Sequence, residues 1–170
     1  PYGASKLACE GYCSAYYRTY GLETVCLRFS NVYGRYSEYK DSVISRFIKQ
    51  VIDGHALTIC GDGNQTRDFV HASDLIRAIQ IAVPTLGIGG EVFQIATGRE
   101  CTVNDLIAVL KSEFGKHGID ILVEYVKPRT GDVRRNYSNT SKAMLALGWR
   151  NKIDLEQGIS DTIKYFLKRG

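Results

Sequence analysis

Tyr2 and Lys6 stand four residues apart in a segment that reads as one helix, Tyr2 to Tyr20, so both project from the same face. A tyrosine hydroxyl has an ordinary pKa of about 10. An ammonium beside it favours the phenolate, and a further positive charge nearby would favour it more. Such a pair can accept a proton from an alcohol near neutrality. The spacing by itself is cheap, because Tyr36 and Lys40 repeat it in a loop of a chain with eleven tyrosines. What matters is the set of elements around the pair.

The first helix is expected to stop at Gly21, a residue that tolerates the left-handed terminal conformation. Thr24–Ser30 is β-rich and predicts a strand. Asn31–Asp41 reads as a loop, and Ser42–Ile52 as a helix closed by Gly54. Leu57–Cys60 predicts a short strand, followed by the turn Gly61-Asp62-Gly63-Asn64. Arg67–Val70 is a further extended piece, and Ser73 is the expected N-cap of a helix over Asp74–Val83. Gly87–Gly90 leads into a strand at Val92–Ala96. Thr102 and Asp105 have capping-box spacing at the start of a helix over Val103–Phe114. Ile121–Val126 reads as a strand and Lys127–Tyr137 as a polar loop. Lys142–Leu147 is a short helix ended by Gly148, and Asp154 caps a last helix through Lys168. Alternation of this kind is the α/β pattern.

The 170 residues suit about one domain, and their 44% hydrophobic content can build an ordinary core. The net charge of +4 is spread without runs, which argues against nucleic-acid or membrane-surface partners. No apolar stretch approaches the roughly 18 residues of a membrane-spanning helix. The first residue is Pro1 and no apolar leader follows, so the chain is expected to begin inside a longer gene product or to have been trimmed. Five cysteines, with no Cys-x-x-Cys, read as free buried thiols of a reducing, cytoplasmic compartment. His55, His71 and His117 lack zinc-site spacing, so no metal is expected.

A dinucleotide-gripping unit starts with a strand, a Gly-rich turn and a helix whose N-terminus meets the pyrophosphate. None of the seventeen glycines provides that turn. Gly61 and Gly63 are followed by Thr66 where the third glycine belongs, and Gly87 and Gly89 by Val92.

Four ordered motifs place the Tyr–Lys pair in context. Pro1-Tyr2-Gly3-Ala4-Ser5-Lys6-Leu7-Ala8-Cys9-Glu10 resembles the active-site helix of the extended short-chain dehydrogenases/reductases, the NAD-dependent nucleotide-sugar epimerases and dehydratases. Leu27-Arg28-Phe29-Ser30-Asn31-Val32-Tyr33-Gly34 resembles that family's next motif. Gly61 to Leu75, containing Arg67-Asp68-Phe69-Val70-His71, resembles the third. Arg129-Thr130-Gly131-Asp132-Val133-Arg134 resembles the fourth, followed by Asn139 to Ala143 and Leu147-Gly148-Trp149.

The resemblance implies an α/β fold: the carboxy-terminal part of a Rossmann-type doubly wound sheet plus a small α/β substrate-binding domain. Residues 1–41 would end the dinucleotide-binding domain. Residues 42–170 would be mostly nucleotide-sugar-binding domain, with segments around 67–96 returning to the Rossmann part. It implies catalytic roles for Tyr2, which would take the sugar hydroxyl proton, and Lys6, which would also hold the nicotinamide ribose. Phe29 and Ser30 would line the nicotinamide pocket. Asn31, Val43 and Ile44 would meet the substrate, Thr58 and Cys60 would flank the base, Arg67 and Arg129 would clamp the diphosphate, and Asp132 would accept from ribose hydroxyls. Asn136 stands at a position that gates sugar size. His71 and Asp74 are expected to organise a loop-to-helix junction, and Trp149 to pack. The helix Tyr2–Tyr20, with Tyr12, Tyr16 and Tyr20 in one stripe, suggests a homo-oligomer interface.

Three departures bear on this expectation. Cys60 replaces a usual aromatic, Arg35 replaces a frequent proline, and the Ser or Thr that completes the catalytic set would precede Pro1. Gly3 resembles epimerases more than 4,6-dehydratases. The expected reaction is therefore epimerisation at C4 of a UDP-sugar through a 4-keto intermediate, with NAD as cofactor of the parent enzyme. The isolated chain, lacking the Gly-rich turn, is expected neither to bind NAD nor to turn over. A dehydratase, a non-catalytic sugar-nucleotide module and a structural fragment are the alternatives.

Overall fold

A computed structural model describes residues 1–168. Its elements are α1 (Tyr2–Tyr20), β1 (Val25–Phe29), β2 (Asn31–Tyr33), α2 (Val43–Ile52), β3 (Leu57–Cys60), β4 (Thr66–Arg67) and β5 (Phe69–His71). They continue as α3 (Ala72–Ala82), β6 (Glu91–Ile95), β7 (Cys101–Thr102), α4 (Val103–Gly115), β8 (Val123–Val126), α5 (Ser141–Leu147) and α6 (Leu155–Leu167). The strands form four pairs. β1–β6, β2–β5 and β3–β8 are parallel, while β4–β7 is antiparallel.

Two cores share these strands. One gathers α2, β3, α4 and α6 with Tyr33 and Phe69. Its helices bury residues at helical spacing: Ile44, Phe47, Ile48 and Val51 on α2, and Val103, Leu106, Ile107, Leu110 and Phe114 on α4. The other gathers β6, α3, α5 and Trp149, against which Val25 and Leu27 of β1 pack. The alternate β1 residues face α1: Thr24 Oγ1 donates to the Cys13 carbonyl at 2.9 Å, and Arg28 pairs with Glu10. Helices α1 and α3 therefore cover opposite faces of the β1–β6 pair. Helix α1 buries none of its residues; Tyr2, Leu7, Tyr12, Tyr16 and Tyr20 are all exposed.

The chain changes partner between Ser30 and Asn31. Ser30 N donates to the Ile95 carbonyl at 3.2 Å, and Asn31 N donates to the Asp68 carbonyl at 3.0 Å. One extended run thus leaves the second core along β6 and enters the first along β5.

The sequence expectation differs from the structure in several places. Asn31–Asp41 is not all loop, because β2 pairs with β5. Arg67–Val70 is two short strands broken at Asp68, and β7 is an additional two-residue strand. The cap of α3 is His71, not Ser73: His71 Nδ1 accepts from Ser73 N at 3.3 Å, so the helix starts one residue before Ser73. Strand β8 begins at Val123 rather than Ile121. All five thiols are free, but none is fully buried, and Cys9 is exposed. The Thr102–Asp105 capping box and the Asp154 cap are both present.

Candidate functional site

A cleft of about 420 Å³ opens between β2, the start of α2, β3, β4 and the loop after β8. Its walls bring together residues from five separate segments. Ser30 and Asn31 come from the partner change, Val43 and Ile44 from the first turn of α2, and Thr58 and Cys60 from β3. Arg67 comes from β4, and Arg129 and Asp132 from the loop. Lys40, Asp41, Arg46 and Gln65 also line it, and the sequence reading assigned none of them a role. Lys40 and Arg46 flank Val43 and Ile44, so proximity to those two residues was the available signal. Lys40 had served only as the decoy partner of Tyr36.

Arg67 is the most constrained cation of the cleft. Its Nη2 donates to Asp132 Oδ1 at 2.6 Å, and its Nη1 donates to the carbonyls of Val133 at 2.6 Å and Thr66 at 2.7 Å. Two more ion pairs fasten the same loop: Arg134 to Asp62 at 3.4 Å and Arg135 to Glu100 at 2.8 Å. The Arg135 fork holds the Glu100 carboxyl below the usual carboxylate range. At the far wall, Gln65 Nε2 donates to the Cys60 carbonyl at 3.0 Å and Thr58 Oγ1 donates to Glu124 at 2.6 Å. The Thr58 hydroxyl proton is therefore already committed, while β3 keeps its position beside β8.

Asp68 organises the wall beneath Ser30 and Asn31. Its side chain is fully buried and accepts from Thr97 N at 2.8 Å, Thr97 Oγ1 at 2.7 Å, Gly98 N at 2.9 Å and Ser30 Oγ at 3.4 Å. Its carbonyl accepts from both Asn31 nitrogens. A buried carboxylate requires such partners. The residue stood inside the third motif, but no role had been drawn for it.

Tyr2, Lys6 and Phe29 do not line this cleft. They lie on the open surface of α1 and β1, where Tyr2 is 76% and Phe29 43% exposed. Lys6 Nζ sits 5.4 Å from the Tyr2 ring centroid, within cation–π reach, and the hydroxyl and ammonium share one face as the spacing required. One turn further along, Glu10 takes both Arg28 nitrogens, Nε at 2.6 Å and Nη2 at 2.5 Å. The surface thus presents an exposed phenol, an ammonium with no ion pair among the described residues, and an exposed Phe29 ring next to Ser30. Asn136 is exposed and lies outside the cleft lining; its backbone N–H donates to Thr66 Oγ1 at 3.3 Å.

His71 and Asp74 hold the junction into α3. Asp74 is fully buried and accepts from Lys152 N, Ile153 N and Arg77. Trp149, also buried, donates to the Asp74 carbonyl at 3.0 Å. Burial pushes the His71 imidazole below its ordinary pKa, against the pull of Asp74 and Asp161. No described helix is long and apolar enough to cross a membrane.

The chain is thus an α/β protein of mostly parallel strand pairs, with a cation-walled cleft and a Tyr–Lys pair on a separate exposed helix. The NAD dependent epimerase/dehydratase family matches residues 1–96, and the chain belongs to that family. It is 42% identical to the "Putative UDP-glucose 4-epimerase" of Methanocaldococcus jannaschii, over 97% of this chain and 52% of that protein. It is 34% identical to the dTDP-D-glucose 4,6-dehydratase of Homo sapiens, over 98% of this chain and 48% of that protein. The UDP-glucuronic acid 4-epimerase of Bacillus cereus, solved with UDP-glucuronic acid and NAD, superposes with a TM-score of 0.89 at 31% identity, covering 100% of this chain and 53% of that one. The chain thus spans about half the length of the relatives it matches.

Proposed function

We propose that the chain supplies the nucleotide-sugar cleft and the Tyr–Lys pair of a NAD-dependent UDP-sugar 4-epimerase. The observation that carries this reading is the convergence of Asn31, Arg67, Arg129 and Asp132 on one cleft from segments spread over a hundred residues of chain. Two guanidinium groups suit a diphosphate, since planar forks match phosphate oxygens. Asn31, fixed by the Asp68 carbonyl, presents its side chain at the wall where β1 passes into β2. Asp132 is placed to take a ribose hydroxyl once Arg67 turns to phosphate. Cys60 stands on the base wall as a small group in place of a ring, so hydrogen bonds along β3 rather than stacking fix the base. Residues 1–41 belong with the dinucleotide-binding domain and most of 42–170 with the sugar-nucleotide domain.

Lys6, Phe29 and Ser30 would hold the nicotinamide–ribose end of NAD, which when bound would supply hydride-transfer chemistry at C4. The residues of this chain do the rest. Tyr2 removes the proton from the sugar 4-hydroxyl and gives it back, and Lys6 holds the phenolate by charge and the cofactor ribose by hydrogen bond. Phe29 and Ser30 border the nicotinamide. The 42% identity to the Methanocaldococcus jannaschii protein named as a putative 4-epimerase, together with Gly3, supports epimerisation. The five free thiols suit the cytoplasm. The bare face of α1 is read as the surface through which copies associate. Taken alone the chain is read as inactive, since the Gly-rich grip for a pyrophosphate is not among its residues.

Calorimetric titration tests this reading. UDP and UDP-glucose should bind the purified chain and NAD should not. Arg67→Ala should weaken UDP binding about tenfold while leaving the melting temperature within a few degrees. Failure of UDP to bind the folded wild-type chain would remove the support for a nucleotide-sugar cleft.

A further inference from the structure

The helix face that carries Tyr2 and Lys6 continues into Glu10, because each lies four residues after the last. Residues so spaced are neighbours on a helix surface, and an acid and a base at that distance pair. Lys6 and Glu10 do not. The Glu10 carboxylate is turned to β1, where Arg28 engages both of its oxygens, at 2.6 Å from Nε and 2.5 Å from Nη2. Lys6 has no ion pair among the described residues; its ammonium lies over the Tyr2 ring at 5.4 Å.

We infer that Arg28 is a positioning residue for the Tyr2–Lys6 pair: by occupying Glu10 it keeps a carboxylate one turn away from capturing Lys6. The inference rests on the reading of Tyr2 and Lys6 as the chemical pair, but its test does not need that reading. Three points support it. First, a bidentate guanidinium–carboxylate pair is stronger and more directional than a lysine–carboxylate contact across one helical turn. Second, lysine preceding glutamate is the weaker of the two helical orders, so Arg28 wins the competition. Third, Arg28 lies on the β1 face that packs on α1, with Thr24, four residues earlier on the same side, bonded to Cys13 of the helix, so its reach to Glu10 is fixed by the backbone. Around Glu10 stand Arg28 and Cys26 from β1, with Cys13 of its own helix beside Cys26, and Lys6 is four residues before it on that helix. Of these Arg28 and Lys6 are the cations. Loss of Arg28 leaves Lys6 as the partner within reach, and an ammonium drawn one turn toward Glu10 is drawn away from the Tyr2 hydroxyl.

The signature is a proton chemical shift. With its ammonium 5.4 Å from the Tyr2 ring centroid, Lys6 should show ε-methylene protons upfield of ordinary lysine, a shift assigned by its loss in Tyr2→Leu and by the absence of the signal in Lys6→Met. Arg28→Gln should collapse the shift toward the ordinary position. Arg28→Gln with Glu10→Gln should restore it, because no carboxylate remains to compete. Glu10→Gln alone should leave it unchanged. Circular dichroism and melting establish that each variant is folded. Should Arg28→Gln not fold, Arg28→Lys, which keeps the charge but not the fork, should lose part of the shift. An unchanged shift in the folded Arg28 variant would overturn the inference. So would a double variant that stays collapsed, since Arg28 would then act only by holding the helix. Whether UDP binds the chain does not enter this readout, so failure of the functional reading is seen separately.

Discussion

Arg67 and Asp132, 65 residues apart in sequence, meet at 2.6 Å in the wall of the cleft. The Arg67 side chain is 19% and the Asp132 side chain 35% exposed, so the pair is reachable by a ligand but partly shielded from water. A diphosphate that takes Arg67 must displace Asp132. Inorganic pyrophosphate isolates this exchange, because it has no ribose for Asp132 to hold. Asp132→Asn should bind pyrophosphate several-fold more tightly than wild type, and Arg67→Ala should bind it about tenfold more weakly, the loss of roughly one charge-assisted bond. Calorimetry reads both. Equal affinity in wild type and Asp132→Asn would mean that the ion pair does not compete with phosphate.

The His71 cap makes part of the stability pH-dependent. Its Nδ1 accepts from Ser73 N, which requires the neutral ring, and burial lowers its pKa below the ordinary 6.5. The unfolded chain therefore binds the proton more readily than the folded one. The contribution is fully present above pH 6.5 and is lost as pH falls from there toward the folded-state value. The melting temperature should drop between pH 7.5 and 5.5. In His71→Asn, which keeps an N-capping acceptor without a titrating ring, that part of the curve should flatten.

Local signals made much of the fold legible. The Thr102–Asp105 box, the Asp154 cap and the apolar periodicity of α2 and α4 each act within one element, so composition and spacing report them. Strand β2 was not legible, because Asn31-Val32-Tyr33 has no alternation of its own and is a strand only through β5. The same holds for Cys101–Thr102 opposite Arg67. In the cleft, Asn31, Arg67, Arg129 and Asp132 stand inside motifs, whereas Lys40 and Arg46 stand outside them and reach the cleft only through the way the segments fold together. The Arg67–Asp132 ion pair illustrates the limit: both residues were named, but that each holds the other is a long-range fact.

Asp74 links α3 to the segment before α6. It accepts from Lys152 N and Ile153 N at 3.0–3.1 Å, and both donors would be stranded by its loss. Asp74→Ala should cost about 3 kcal/mol, two unsatisfied donors plus a lost ion pair. The single tryptophan, Trp149, is bonded to the Asp74 carbonyl and buried, so its fluorescence follows unfolding in denaturant. A midpoint unchanged from wild type would mean that the backbone of residues 152–153 finds other partners.

The thiols should separate by environment. Cys9 is exposed on α1, while burial pushes the Cys26 thiol up to about 11 and the Cys101 thiol up to about 12. The thiolate is the nucleophile, so iodoacetamide at pH 8 should label Cys9 first and Cys101 last. Peptide mass spectrometry over a time course gives the order. Rapid labelling of Cys101 in the native chain would show that β7 opens readily.

Gly158 and Tyr33 are packed so closely that a side chain between them has no room. A Cβ on Gly158 would stand 2.2 Å from the Tyr33 hydroxyl oxygen and 2.8 Å from the ring carbon that bears it. Tyr33 is buried and its hydroxyl reaches the Asp154 carbonyl at 3.5 Å, so the ring cannot swing aside without leaving the junction of β2 with α6. Gly158→Ala should therefore destabilise by about 1–3 kcal/mol through overpacking, although alanine is the better helix former. Tyr33→Phe removes the nearest atom of the clash, so the double variant should recover part of that loss, and denaturant melts of the four proteins measure the coupling. Strict additivity would show that the strain is relieved by movement of α6 rather than borne at Tyr33, and that the wall of the cleft carried by β2 can shift with it.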